Sequence, residues 1–334
     1  MTSIMKRKLG RSGIEVSALG LGCWAIGGPF WTGDKPHGWG SIDDNESIKA
    51  IQRAIELGVN FFDTADVYGT GHSETVLGQA LEGYERTEVV IATKFGNTFD
   101  ENTKQITGTN ISPEYIRQAC QASLKRLKMD YIDLYQLHLW TIELEDAAKV
   151  VEVLEALIDE GLLLTYGWST DVTKNARMFA EHKNCSAIQQ ELNVLVDGPE
   201  IIEICEKYNL ASINRTALAM GLLTGKYNRE TRLLKDDIRG NEPEWMKYFK
   251  HGYPTPKWLE KLDLVKEILT TEGRTLAQGS LSWIWGRSEK TIPIPGFKTT
   301  QQIEENIGAM EFGPLKEEQI NHIDEILGQR SYRY

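Results

Sequence analysis

The sequence predicts a single α/β domain over residues 1–334, a closed (β/α)8 TIM barrel with an N-terminal β-hairpin and extra C-terminal helices. Three observations predict it. Short β-type apolar runs alternate with longer runs of helical periodicity along nearly the whole chain, as expected for a parallel sheet built from βα units. The 334 residues, 41% of them apolar, suffice for one large core and only modestly exceed a standard eight-stranded barrel. Reactive side chains recur just after the apolar runs, where such a barrel gathers its active site.

The elements follow in order. Gly10, Arg11, Ser12 and Gly13 read as the turn of a hairpin. The eight predicted barrel strands are residues 18–22, 61–64, 89–93, 132–137, 163–168, 187–190, 210–213 and 291–294. Between them lie helices with legible ends. Asp44 or Asn45 caps one that carries Ile48, Ile51 and Ile55 on one face and stops at Gly58. Ser112 and Pro113 open another, residues 144–160 end at Gly161, Pro199 opens a helix to Tyr208, and Thr275 caps one that ends at Gly286. Two segments exceed the minimal pattern, residues 226–256 and a C-terminal helix at 315–327. The first is too aromatic for a solvated tether and is expected to cover the active site.

Composition narrows the partners. The net charge of −11 repels nucleic acid and anionic membrane surfaces, so an anionic ligand must be captured locally by helix N-termini and a few placed cations. Cys23, Cys120, Cys185 and Cys205 form no CxxC pair, which points to buried free thiols and to no metal site. Neither a secretory leader nor an apolar stretch of membrane-spanning length is visible, so a cytoplasmic protein is expected, monomeric by default.

The strand ends carry Asp63 and Tyr68 in DTADVYG, Lys94 in ATKFG and His138 in YQLH. An unperturbed tyrosine titrates near about 10 and needs help to act as an acid; a nearby buried ammonium favours its phenolate. Lys94 supplies that charge, and a carboxylate such as Asp63 keeps the ammonium charged in a dry pocket. A neutral His138 donates an N–H to a carbonyl oxygen. A second cluster follows strands seven and eight. Leu222, Thr224, Gly225 and Lys226 in GLLTGK suit a pyrophosphate, and Gly296, Phe297 and Lys298 lead into a helix whose positive end suits a phosphate. No GxGxxG joins a first strand to its helix, which argues against a Rossmann site.

DTADVYG, IATKFG, DLYQLH, GLLTGK and IPGFKTTQQIEEN, in that order, resemble the signature blocks of the aldo-keto reductase superfamily. The resemblance implies a catalytic tetrad of Asp63, Tyr68, Lys94 and His138, with hydride passing from the nicotinamide of NADPH to a carbonyl carbon as Tyr68 protonates the oxygen. It implies Lys298 at the 2′-phosphate, Gln302 at the phosphate or ribose edge, Glu305 and Asn306 at the adenine, and Trp24 in the substrate pocket. Ser169 and Gln189 match the carboxamide-binding positions, whereas Thr170 replaces the usual Asn. Arg215 stands where an aromatic normally stacks on the nicotinamide, leaving two placements open, over the ring or toward the pyrophosphate. A cation in place of a carboxylate at the adenosine end favours NADP+ and NADPH over the unphosphorylated pair. Trp31, Trp39, Trp245, Tyr248, Phe249 and Tyr253 suggest an aromatic wall around a small carbonyl substrate, an aldehyde first and ketones beside it. Two alternatives are an NADPH-binding, redox-sensing regulatory subunit with slow turnover, and a barrel enzyme for a phosphorylated sugar; the intact tetrad argues against the first, and Ser169 and Gln189 have no purpose in the second.

Overall fold

Residues 4–241 and 243–329 are described by a computed structural model. Eight parallel strands form the barrel: β1 (Leu21–Gly22), β2 (Phe61–Asp63), β3 (Val90–Phe95), β4 (Ile132–Leu137), β5 (Leu163–Ser169), β6 (Cys185–Glu191), β7 (Ala211–Arg215) and β8 (Thr291–Pro293). They pair in chain order, and the ring closes where Gly20 and Gly22 donate their N–H groups to the carbonyls of Pro293 and Pro295, both at 3.0 Å. All eight predicted strands are present, the first of them shorter than expected.

Among the described residues ten α-helices accompany the strands: α1 (Asp44–Glu56), α2 (His72–Ala80), α3 (Pro113–Leu127), α4 (Leu144–Asp159), α5 (Thr173–Ala180), α6 (Pro199–Tyr208), α7 (Pro256–Leu269), α8 (Leu276–Arg287), α9 (Thr300–Phe312) and α10 (Glu317–Leu327). Their ends have the expected chemistry, with one shift. Asp43, one residue before the predicted cap, accepts from the N–H groups of Asn45 and Glu46 at 2.9 and 3.3 Å. Ser112 caps α3, and Thr275 with Gln278 forms a reciprocal capping box on α8. Along α4, Ala147, Val150, Val151, Leu154 and Leu157 turn inward at helical spacing. Burying such a side chain contributes roughly 2 kcal/mol, against a few tenths lost to valine's weak helix propensity, so the spacing decides.

The N-terminal hairpin, Lys6–Lys8 against Glu15–Ser17, seals the lower end of the barrel. Leu9 and Val16 join Phe61, Val90, Ala92, Leu134, Ala187, Ala211, Ile213 and Ile292 in its interior cluster. Gly10 makes this fit possible, because a Cβ there would lie 2.2 Å from the Ser186 carbonyl oxygen.

Strand alternation then fixes the upper layer. Two residues beyond Phe61, Ala92, Leu134, Ala187 and Ile213 stand Asp63, Lys94, Gln136, Gln189 and Arg215. The apolar core thus ends in a polar rim at the C-terminal mouth, where barrels of this kind carry their chemistry.

Two features lie outside the predicted elements. After β3 a hairpin, Asn97–Asp100 with Gln105–Thr109, extends the mouth and takes on the short strands Trp31–Thr32 and Lys35–Pro36 from the loop after β1. Helix α7 follows the aromatic segment after β7, with Pro256 in its first turn and Leu259, Leu262, Val265 and Leu269 buried. The aromatic segment does cover the mouth: Ile238 donates to the Gly38 carbonyl at 2.9 Å, and Asp237 bridges to Trp39.

Candidate active site

One cleft of about 860 Å³ opens at the mouth of the barrel. Its floor is the polar rim. Lys94 is fully buried, and its ammonium donates to Asp63 Oδ1 at 2.5 Å and to the Thr64 carbonyl at 2.7 Å. The other carboxylate oxygen of Asp63 accepts from the amides of Gln136, at 3.1 Å, and Gln189, at 2.8 Å. Gln136 lies opposite Lys94 in the β3–β4 register, so the sheet itself delivers this second donor. The buried pair is therefore well satisfied, the condition under which such a pair persists in a dry interior.

Tyr68 stands above the pair. Its ring centre is 5.0 Å from the Lys94 ammonium and 5.6 Å from the His138 ring, which meets it edge-on. The turn that presents it needs glycine twice: a Cβ at Gly69 would fall 1.8 Å from the Gly27 carbonyl oxygen, and one at Gly27 would fall 2.8 Å from the Tyr68 carbonyl carbon. Backbone of the β1 loop thus rests directly on the Tyr68 turn. Trp24 stacks at 5.8 Å on the Tyr68 ring.

The electrostatics modify the expectation for this phenol. Burial raises its pKa, and Asp63 adds to the rise, while Lys94 and Arg215 lower it; the balance lies above the ordinary tyrosine value. Lys94 thus moderates the phenol without making it more acidic than a free tyrosine. Burial also opposes charge on Lys94, but Asp63 and Tyr68 outweigh it and hold the ammonium above the usual lysine range. His138 is driven well below the usual imidazole value by burial and by the cations Lys94 and Arg215, so it is neutral.

At the far end of the cleft Lys226, Arg239 and Lys298 converge. Burial, with the repulsion of Arg239 and Lys226, depresses the Lys298 ammonium despite the nearby Asp237. Its Nζ donates to the Trp39 carbonyl at 2.5 Å, and its backbone N–H donates to the Gln302 side chain at 2.8 Å. Gly296, Phe297, Glu305, Asn306 and Thr224 line the same end.

Other predicted residues are placed differently. Ser169 lines the cleft and bonds to the Gln189 side-chain oxygen at 3.4 Å, while the Gln189 amide nitrogen is engaged by Asp63. Thr170 is fully buried with its hydroxyl on the Trp140 carbonyl at 2.7 Å, outside the cleft wall. Leu222 and Gly225 shape the turn after β7 without lining the cleft. Arg215 does line it, but its guanidinium is paired with Asp171 and lies 5.5 Å over the Trp140 ring. Of the predicted aromatics, Trp24, Trp39 and Trp245 reach the cleft, whereas Tyr248 and Phe249 are buried beneath it. Gln136, Trp140, Asp171 and Arg239 were not singled out by sequence. Strand alternation from Leu134 could have found Gln136; the other three sit in loops whose path the pattern does not fix.

The comparisons decide the lineage. The family model described as the Aldo/keto reductase family matches residues 18–328. The chain belongs to that family. An "Aldo-keto reductase yakc [NADP(+)]" of Schizosaccharomyces pombe is 30% identical, covering 92% of this chain and 87% of its own. An "NADH-specific methylglyoxal reductase" of Escherichia coli is also 30% identical, covering 91% of this chain and 93% of its own. Among solved structures, the glycerol dehydrogenase AKR11B4 from Gluconobacter oxydans superposes with a TM-score of 0.79 at 28% identity, covering 98% of this chain and 99% of that one. As an aldo-keto reductase this chain is an oxidoreductase by lineage. Among the described residues no helix is long and apolar enough to cross a membrane.

Proposed function

We propose that the protein is an NADPH-dependent carbonyl reductase that converts aldehydes, and ketones beside them, to alcohols, with Tyr68 as proton donor. The observation that carries this reading is the buried Lys94–Asp63 pair beneath Tyr68, at one end of a cleft whose other end gathers three cations. The relative named for NADP(+) supports the cofactor. The equally similar NADH-specific relative means that lineage alone does not choose it, so the choice rests on Lys226, Arg239 and Lys298.

These residues fit the cofactor. Asp237 already pairs with Arg239, but burial and the charges of Arg239 and Lys226 still depress the Lys298 ammonium, a cost that an incoming anion would relieve. Lys298, Gln302, Glu305 and Asn306 would hold the adenosine end, Thr224 and Lys226 the pyrophosphate, and Ser169 with the Gln189 side-chain oxygen to which it donates the carboxamide. NADPH held by these residues would supply the hydride. Tyr68, kept protonated by burial, hands its proton to the carbonyl oxygen, and Lys94 stabilises the phenolate left behind. Asp63 holds Lys94 charged, while Gln136 and Gln189 hold Asp63 in place. Neutral His138 orients the carbonyl oxygen through an N–H. The intact set argues against a purely regulatory role.

NADPH oxidation followed with a panel of aldehydes tests this reading. Tyr68→Phe should lower kcat by on the order of 10² to 10⁴, the usual worth of a positioned acid, while NADPH still binds. Undamaged turnover in that variant removes Tyr68 from the mechanism.

A further inference from the structure

The positions at which this chain departs from the family pattern, Thr170 and Arg215, meet at one residue, Trp140. Trp140 lies two residues beyond His138, in the loop after β4, and its indole is 56% exposed at the cleft wall. Three contacts fix it. The Thr170 hydroxyl donates to its carbonyl at 2.7 Å, the Asn175 amide reaches the same oxygen at 3.4 Å, and the Arg215 guanidinium lies 5.5 Å over its ring. Arg215 is held in turn by Asp171, whose other oxygen accepts the Glu191 N–H at 2.7 Å. An exposed indole is usually mobile; here the backbone that carries it is pinned by the Thr170 hydroxyl and one face of the ring is covered by a tethered cation.

The rest of the mouth complements it. Trp245, 53% exposed, comes from the loop after β7 and packs against Trp24, which stacks on Tyr68. The proton donor therefore lies among wet aromatic surfaces from loops spread around the barrel. The cations nearby are already paired, Arg215 with Asp171 and Lys247 with Glu191. Such a wall offers dispersion and apolar burial to a flat ligand and little to a sugar or a phosphorylated carbonyl.

We infer that Trp140 is a specificity-determining residue that selects flat, apolar carbonyl compounds, and that Thr170 and Arg215 are positioning residues that hold its indole in place. This rests on the carbonyl-reductase reading of the same site. Thr170 accordingly serves the substrate wall through its hydroxyl and leaves the carboxamide to its neighbours.

The test uses the full-length protein loaded with NADP+, with 2-naphthaldehyde binding measured by calorimetry, alongside kcat/KM for 2-naphthaldehyde and propanal with NADPH. Trp140→Ala should weaken naphthaldehyde binding by about tenfold and lower the naphthaldehyde-to-propanal ratio of kcat/KM by a similar factor, through KM more than kcat. Thr170→Val should give a smaller change of the same sign, and Thr170→Ser, which keeps the hydroxyl, should restore the ratio. An unchanged ratio in Trp140→Ala, or loss that is equal for both aldehydes, overturns the inference. Should no aldehyde be reduced by the unaltered protein, the carbonyl-reductase reading fails. The calorimetric comparison still decides Trp140, since binding equal in the two proteins sinks it and binding lost on substitution upholds it.

Discussion

At the scale of single residues, burial sets most of the chemistry. Desolvation at the cleft wall and the cations Lys94 and Arg215 drive His138 well below the usual imidazole value, and Tyr68 is pushed upward. On the proposed mechanism reduction needs the proton on Tyr68 and is lost only as pH rises through its raised pKa. Thus kcat/KM should be level between about pH 6 and 9, and an acidic limb in that range would show that His138 titrates there. Arg215 carries a second consequence. If the nicotinamide lies beside it, as proposed, its charge opposes the cationic oxidised ring more than the neutral reduced one, although Asp171 offsets part of it. Arg215→Trp should therefore tighten NADP+ relative to NADPH by a few-fold, on the scale of about 1 kcal/mol, and an unchanged ratio of the two dissociation constants would dismiss the effect. Asp66 gives a stability test away from the cleft. It is buried with neither carboxylate oxygen partnered, and burial, with Glu74 nearby, raises its pKa well above the usual carboxylate value. A raised folded pKa makes its contribution favourable at low pH and lost as pH rises through that value. Asp66→Asn should accordingly stabilise the fold by about 1 kcal/mol at pH 8 and by less at pH 5, as read by denaturant unfolding. Asp63 and Lys94 were legible because each ends an apolar strand whose period fixes its direction, whereas Tyr68 is presented by a turn that Gly27 and Gly69 shape. The pKa balance of Tyr68 was not, because it depends on burial by loops distant in sequence.

At the scale of elements, the repeat was read more fully than its additions. Strands of five or six apolar residues and helices with Ser, Thr or Pro at their starts announce themselves. The hairpin after β3 does not: Gln105–Thr109 is half-exposed and polar, stabilised by pairing with its neighbours and the β1 loop rather than by its own pattern. Helix α7 was legible in principle, from Pro256 and the leucine spacing, but its start was absorbed into the preceding aromatic loop. Helix α9 matters most for function. Thr299 caps it, and the Glu46 carboxylate from α1 accepts from both the N–H and the hydroxyl of Thr300, at 3.0 and 3.1 Å. Part of the positive helix end is therefore already occupied, so on the proposed reading the burden of holding a 2′-phosphate falls on Lys298 and its companions. Lys298→Ala should weaken NADPH by roughly tenfold or more while leaving NADH nearly unchanged. Equal losses for the two would assign Lys298 to a part of the cofactor that both share.

For the whole molecule, the net charge of −11 works against an anionic cofactor, and the fold answers by concentrating cations under a cover. Loops from β1, β7 and β8 are tied together over the far end of the cleft. Ile238 bonds to Gly38, Lys298 to Trp39, and Arg239 lies 4.5 Å over the Trp39 ring while gripping Asp237 with two nitrogens at 2.6 and 2.8 Å. Sequence composition marked the segment as a cover but not which loops it would meet, since those contacts join residues some 200 positions apart. Because these ties cross the cleft, a cofactor lying beneath them leaves only when they part. Arg239 therefore has two separable roles, charge and clasp. Lys at this position keeps the charge but loses the planar stack on Trp39 and the paired grip on Asp237. If the clasp governs release, Arg239→Lys should accelerate NADPH dissociation by about tenfold, nearly as much as Arg239→Ala, in stopped-flow fluorescence, with faster amide exchange in residues 233–253. If charge alone governs it, Arg239→Lys should release NADPH at the unaltered rate while Arg239→Ala does not.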